Sequence, residues 1–354
     1  MSTNENEVSC LECEENELRE DLVGRRSFLR LVGGGAATLA TGGALTPRLL
    51  ADQPAAKPAP GPRPAEALIR ELYEGLTEAQ RRAVVYPWNH GAGQGQLPVR
   101  LRMTNTAYGQ RIGQALTAPQ RELVQRITRA ICADEEGFRR IATVIERDSF
   151  GGSSWQGIGA NIFGNPTQGQ FAWVLTGHHL TLRCDGNSEP DAAFGGPMYY
   201  GHSPDGNSQR NVFNFQTRSV RNVFEALSEN QRRRAIVVGT PGELYQSVRL
   251  RSRGQPIPGL ASSDLTSDQR SLVTAVMRDL LAPFRREDAD EAMDIVRRTG
   301  GLDRIHLAFY RDRNSSDNAR WSFWRIEGPG FVWNYRVLPH VHCYVNVTAN
   351  GAST

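Results

Sequence analysis

Four short segments of one pattern constrain this chain's fold more than any other feature. Leu76-Thr77-Glu78-Ala79-Gln80, Leu116-Thr117-Ala118-Pro119-Gln120, Leu227-Ser228-Glu229-Asn230-Gln231 and Leu265-Thr266-Ser267-Asp268-Gln269 each set a hydroxyl at a helix N-cap and a glutamine three residues later. The hydroxyl accepts from a first-turn backbone N–H, the glutamine carbonyl accepts from the N-cap N–H, and the leucine before the cap can staple the first turn. Each segment therefore starts a helix. The first two lie 40 residues apart and the last two 38, compatible with a duplicated helical pair, although reuse of good cap chemistry is the simpler account.

Further helices are expected over 65–74, 135–147 and 287–298, the last ended by Thr299-Gly300-Gly301. Elsewhere the pattern is that of strands. After the turn Asn165-Pro166-Thr167-Gln168-Gly169 the chain reads as extended from Gln170 to Asp185. A second group covers 305–310, 320–327, 331–337 and 340–347, with a turn at Gly328-Pro329-Gly330. Helices in blocks and strands joined by short turns predict an α+β fold, an antiparallel sheet with helices packed against it, as a single domain over 65–354.

The N-terminal 51 residues read as an export leader. Gly24-Arg25-Arg26-Ser27-Phe28-Leu29-Arg30 puts a twin arginine before a Gly/Ala/Leu stretch from Leu31 to Leu45, a signature of the route that carries proteins already folded, often with a cofactor inserted. At about 15 residues the stretch is too short to span a hydrocarbon core of about 30 Å. The expected partner is the twin-arginine export machinery, the expected location periplasmic or secreted, and no integral membrane segment is expected in the mature protein. Residues 52–64 are rich in Pro and Ala and read as an extended tether.

Without the leader, 36 basic residues (41 less five) face 30 acidic ones (38 less eight), a mildly basic balance. Nearly all of it is arginine, Lys57 being the one lysine, and the charges are scattered. Nucleic-acid binding calls for a clustered stripe interleaved with aromatics, which only Arg232-Arg233-Arg234 approaches, so no nucleic-acid partner is expected. Cys10 and Cys13 fall in the leader. Cys132, Cys184 and Cys343 allow at most one disulfide, and a domain of this size needs none.

The candidate chemistry lies in the histidines. In His340-Val341-His342 the imidazoles alternate with one residue, so on a strand they share a face with α-carbons roughly 6.7 Å apart and can bind one metal ion at about 2.0 to 2.1 Å each. Val341, Cys343 and Val345 then face the core. In His178-His179 the side chains of an extended chain point to opposite faces, so one of the two can join a site. Tyr199-Tyr200-Gly201-His202-Ser203-Pro204-Asp205-Gly206 adds an imidazole and a carboxylate on a loop.

Three runs carry a family resemblance: Phe163-Gly164-Asn165-Pro166, Trp173-Val174-Leu175-Thr176-Gly177-His178-His179-Leu180, and Pro197-Met198-Tyr199-Tyr200-Gly201-His202-Ser203-Pro204. Together with Trp324-Arg325-Ile326-Glu327-Gly328-Pro329 and the His340-x-His342 pair, the chain resembles the domain of unknown function 3500 family from about Leu76 to Asn346. His202 stands where members usually carry an acidic residue. The resemblance brings no reaction with it.

The histidines suggest a His-ligated metalloenzyme, a metal-dependent hydrolase or oxidoreductase acting on a small or hydroxylated substrate. His340, His342 and one of His178 or His179 are the expected ligands, with His202, Asp205 or Glu327 as further ones. Zinc suits three imidazoles with an open position, iron or manganese suits a set with a carboxylate, and copper fits as well. Arg325 and Tyr200 are candidates for positioning an anionic or hydroxylated substrate, and with Glu327 they are the candidate catalytic residues. The alternative is a non-catalytic extracytoplasmic binding module for carbohydrate or cell envelope, in which Trp321, Trp324, Trp333 and Tyr335 stack on a glycan, although Trp324 in the core with its neighbours as ordinary amphipathic strand residues is the simpler account of these aromatics.

Overall fold

The computed structural model describes residues 64–148, 154–251, 254–313 and 320–349. The twin arginine, Cys10 and Cys13, and all but the last residue of the expected tether lie outside the described residues. All four hydroxyl–glutamine segments open helices with both bonds of the capping box made.

The chain passes through nearly the same sequence of elements twice, the second half having a short strand and a 3-10 turn (Ser262–Asp264) where the first has a short helix. The first half runs α1 (Pro64–Glu74), α2 (Glu78–Val84), β1 (Val85–Tyr86), α3 (Ile112–Ala115), α4 (Ala118–Ile131), α5 (Glu135–Arg147), β2 (Gly159–Gly164), β3 (Phe171–Gly177), β4 (Leu180–Cys184) and β5 (Met198–His202). The second runs α6 (Asn214–Ala226), α7 (Glu229–Ala235), β6 (Ile236–Val238), β7 (Leu260–Ala261), α8 (Ser267–Leu281), α9 (Arg286–Arg298), β8 (His306–Arg311), β9 (Phe323–Gly328), β10 (Phe331–Arg336) and β11 (Val341–Val347). All strands join one mostly antiparallel sheet of order β1-β2-β3-β4-β5-β11-β10-β9-β8-β6, with β7 on β8. Each half contributes an antiparallel meander flanked by one parallel edge strand, β1 on β2 and β6 on β8. The meanders meet at the antiparallel β5–β11 pair.

Hydrogen bonds repeat with the topology. Gln80 and Gln120 donate to each other's carbonyls at 2.7 and 3.1 Å, and Gln231 and Gln269 do the same at 2.9 Å. Ala133 N donates to Pro283 O at 3.0 Å and Arg285 N to Ile131 O at 3.1 Å, one bond being the twofold image of the other. The cap spacing therefore marks an internal repeat about an approximate twofold axis, not mere reuse of cap chemistry.

Helices cover one face of the sheet, and onto it point Trp173, Leu175, Leu182, Trp324, Trp333 and Val345. Trp321, Trp324, Trp333 and Tyr335 are all buried there, Trp321 being the most exposed at 5%. They present no aromatic face to a glycan, which corrects that expectation. The opposite face is buried as well, beneath irregular segments around 99–108 and 240–251. Polar side chains on it serve the backbone of those segments. Thr181 Oγ1 donates to Thr104 O at 2.8 Å, Asn334 Nδ2 to Gly242 O at 3.2 Å and Asn346 Nδ2 to Val248 O at 3.0 Å.

One element differs from expectation in a way that bears on the site. The extended run from Gln170 to Asp185 is a hairpin, β3 and β4, whose pairing Gly177↔Leu180 leaves only His178 and His179 in the turn. Such turns favour a residue with positive φ, usually Gly or Asn; here His179 takes that conformation, with φ of 53°. With neither Gly nor Asn in the turn, the sequence gives no sign of it.

The glutamine pairs generate a prediction. Gln231→Ala removes the N-cap partner of Ser228 and leaves Gln269 without its reciprocal bond, at an expected cost of about 1–3 kcal/mol in urea-induced unfolding. Because the two glutamines share one network, the Gln231→Ala/Gln269→Ala double variant should lose less than the sum of the single losses. Strict additivity would show that the pair does not act as a unit.

Candidate metal centre

Three buried imidazoles from the two halves converge at one end of the β5–β11 junction. His179 comes from the β3–β4 turn, His340 from the residue before β11 and His342 from β11 itself. Their nearest ligand atoms all lie within 4.8 Å of one another. His340 Nε2 is 2.9 Å from His342 Nε2 and 3.3 Å from His179 Nε2. Nitrogens bound at about 2.0–2.1 Å to a tetrahedral ion sit about 3.3 Å apart, so the spacing suits such an ion once Arg336 Nη2, which donates to the Nε2 atoms of His340 and His342, turns away from them. Val341, Cys343 and Val345 point to the helix-covered core, as the alternation in the sequence predicts.

The outward nitrogens of two of the rings have carboxylates nearby. Asp148, the residue after α5, brings Oδ2 to 3.4 Å from His179 Nδ1 and 3.1 Å from His202 Nδ1. Its Oδ1 accepts from the backbone N–H and the hydroxyl of Ser203 at 2.8 and 2.7 Å. Burial opposes ionisation of Asp148, but these imidazole contacts prevail and hold its carboxyl below the usual range. His342 Nδ1 lies 3.1 Å from Glu243 Oε1 and 3.0 Å from the Tyr344 hydroxyl. The carboxylate on the outer nitrogen of His342 favours the tautomer whose Nε2 lone pair faces inward, as in carboxylate–histidine–metal arrangements.

A guanidinium completes the inner surface. Arg336, across the ladder from His342, brings Nη2 to 2.8 Å from His340 Nε2 and 2.7 Å from His342 Nε2. Its Nη1 lies 3.0 Å from Glu243 Oε1. A cavity of about 110 Å³ opens beyond the turn, lined among others by Asn105, Arg111, Asp148, Gly177 and His178.

The residues named from the sequence fall in different places. His179, His340 and His342 converge; His178, whose ring centroid lies 3.9 Å from that of His179, is not one of the three, and the turn rather than opposite faces of a strand separates the doublet. His202 sits on the far side of Asp148, with Nε2 3.3 Å from Asp205 Oδ2. Arg325 and Glu327 pair with each other at 2.9 Å, and Arg325 also donates to Ser247 O, so both hold the covering segment. Tyr200 points to the helix side and donates to Leu280 O. Cys184 also lies on that side, and burial pushes its thiol well above the ordinary value, against a role as nucleophile.

Sequence reasoning missed Asp148, Glu243 and Arg336. Asp148 follows an ordinary helix, Glu243 lies in an irregular segment, and Arg336 gains meaning only through strand register. No local spacing marks any of them.

The imidazoles generate a pH prediction. Burial, the Arg336 guanidinium and His179 hold His340 down at about 2; the same causes hold His342 well below the usual 6.5. Burial and His179 bring His178 to about 4. The unfolded chain takes up these protons near pH 6.5 and the folded metal-free protein does not, so the stability they contribute is present above pH 6.5 and is lost as pH falls. Urea midpoints of the metal-free protein should therefore drop between pH 7 and pH 5, and less steeply in His340→Gln. Equal slopes in both proteins would contradict the assignment.

No curated protein and no solved structure matches the chain. A family model matches residues 63–349, which is nearly all of the described chain. The chain thus belongs to the family described as Protein of unknown function (DUF3500).

Proposed function

We propose that the protein is an exported metalloenzyme in which His179, His340 and His342 hold a divalent transition metal ion with one coordination position open to substrate. The observation that carries this reading is the convergence of three buried imidazole nitrogens, with carboxylates beside the outer nitrogens of two of the rings. Structural zinc sites are closed by four protein ligands, whereas three leave a position for water or substrate. The three converging ligands are all nitrogen. Asp205 and Glu327 stand outside the set, engaged with His202 and Arg325, so the donors favour zinc or copper over an iron or manganese site that includes a carboxylate. When bound, the ion would supply Lewis acidity or redox chemistry toward a small or hydroxylated substrate. His179, His340 and His342 hold it, Asp148 and Glu243 orient two of these ligands, and the segments over the sheet exclude water.

Elemental analysis tests the centre. Protein purified after export in its native host should carry about one equivalent of a single transition metal per chain, and His340→Ala and His342→Ala should carry almost none. Saturation at a hundred times Kd should stabilise the wild-type fold by about 2.7 kcal/mol. Absence of stoichiometric metal would end this reading.

Export rests on Arg25-Arg26 and the short apolar stretch after it; among the described residues no helix is long and apolar enough to cross a membrane. Replacing Arg25-Arg26 by Lys-Lys should leave the full-length chain inside the cell, as read by fractionation and immunoblotting. Unchanged export would assign the leader to another route.

A further inference from the structure

All three guanidinium nitrogens of Arg336 are engaged. Nε lies 3.4 Å from His340 O, Nη1 lies 3.0 and 3.2 Å from the two oxygens of Glu243, and Nη2 lies 2.8 Å from His340 Nε2 and 2.7 Å from His342 Nε2. The last two contacts matter most, because those Nε2 atoms are two of the three that converge as ligands. The accepting nitrogen of a neutral imidazole has a single lone pair, and a guanidinium can only donate. Each of these two nitrogens therefore spends its lone pair on Nη2. Arg336 and a metal ion are alternative occupants of the same two atoms.

Resting on the metal reading above, we infer that Arg336 is a built-in competitor for the ion, and that metal uptake moves its guanidinium off the imidazoles toward Glu243. When no ion is bound, the guanidinium satisfies two buried acceptors that would otherwise bear the cost of an unmade hydrogen bond. It also spans His340 and His342 and so holds the pair together. The exit has a direction. The Glu243 side chain is 34% exposed and that of Arg336 7%, so Glu243 stands on the solvent side of the guanidinium, where it already accepts from Nη1. A guanidinium moving that way stays paired, which avoids an uncompensated buried charge beside the ion. Glu243 Oε1 is also 3.1 Å from His342 Nδ1, so the carboxylate that receives Arg336 touches the ligand that Arg336 releases. The cost of parting Nη2 from two rings is set against metal binding, and the affinity of the site is lower than three buried imidazoles alone would give.

Metal-free protein titrated with cobalt(II) against a competing chelator, and followed by visible absorption, tests this, with circular dichroism as the check on folding. A residue that only supports the ligands weakens metal binding when it is removed, whereas removing a competitor strengthens it. Arg336→Leu should bind cobalt at least tenfold more tightly than the wild type, the scale of a hydrogen bond to a charged group. Arg336→Gln should gain as well and serves where Arg336→Leu does not fold. Arg336→Lys keeps the charge and loses the fork that spans both nitrogens, and should fall between the wild type and Arg336→Leu. The gain should persist when Arg336→Leu/Glu243→Gln is compared with Glu243→Gln, so that a released carboxylate is not its source. Unchanged or weaker cobalt binding in the folded variants, a gain lost in the Glu243→Gln background, or an Arg336→Lys protein that matches the wild type overturns this inference alone. Absence of cobalt binding in the wild type and in every variant overturns the metal reading and this inference with it.

Discussion

The pairing of β5 with β11 is the constraint on which the rest depends. It joins the two meanders into one sheet, and its register sets His342 across from Gly201. A Cβ at Gly201 would meet Val341 O at 2.5 Å and His342 Cδ2 at 3.0 Å, so the absent side chain is what lets the imidazole lie over β5. The Gly201 N–H donates to His179 O at 3.0 Å, which ties the turn of the first half to the same point. Imidazoles from residues 161 positions apart in sequence are brought to 3.3 Å by that one junction. A centre of this kind exists only when the halves are docked, and its formation reports on the whole fold.

The repeat makes the two ends of the junction comparable, and they differ in chemistry. The turn between β3 and β4 carries His178-His179, while the matching turn between β9 and β10 carries Pro329-Gly330. Asp148 follows α5 beneath the first turn. Thr299 follows α9 beneath the second, so close that a Cβ at Gly330 would collide with it. The same backbone frame thus holds an imidazole and a carboxylate at one end, a glycine and a threonine at the other. The outer face shows a related division, since its buried arginines and amides satisfy the backbone of irregular segments and thereby keep water from the strands beneath.

Helix starts were legible because capping is local. The hydroxyl and the glutamine that close a capping box lie within one turn, and all four boxes formed. The paired histidines were legible for a similar reason, strand alternation placing His340 and His342 on one face whatever lies around them. The β3–β4 turn was not, because His179 adopts positive φ without the glycine or asparagine that marks such turns. Nor was the burial of Trp321, Trp333 and Tyr335, because alternation tells which residues share a face and not what covers it.

What the sequence determined by itself, then, is the set of interactions between residues a few positions apart: caps, alternation, short turns, and the α+β class that follows from their order. Only the tertiary structure decided which histidine of the doublet meets the distant pair, that Arg336 and Glu243 share the site with them, and that the capped helices mark a repeat. Those outcomes depend on strand register and on the docking of two halves. Both are fixed by burial summed over the whole sheet, which no window of sequence contains.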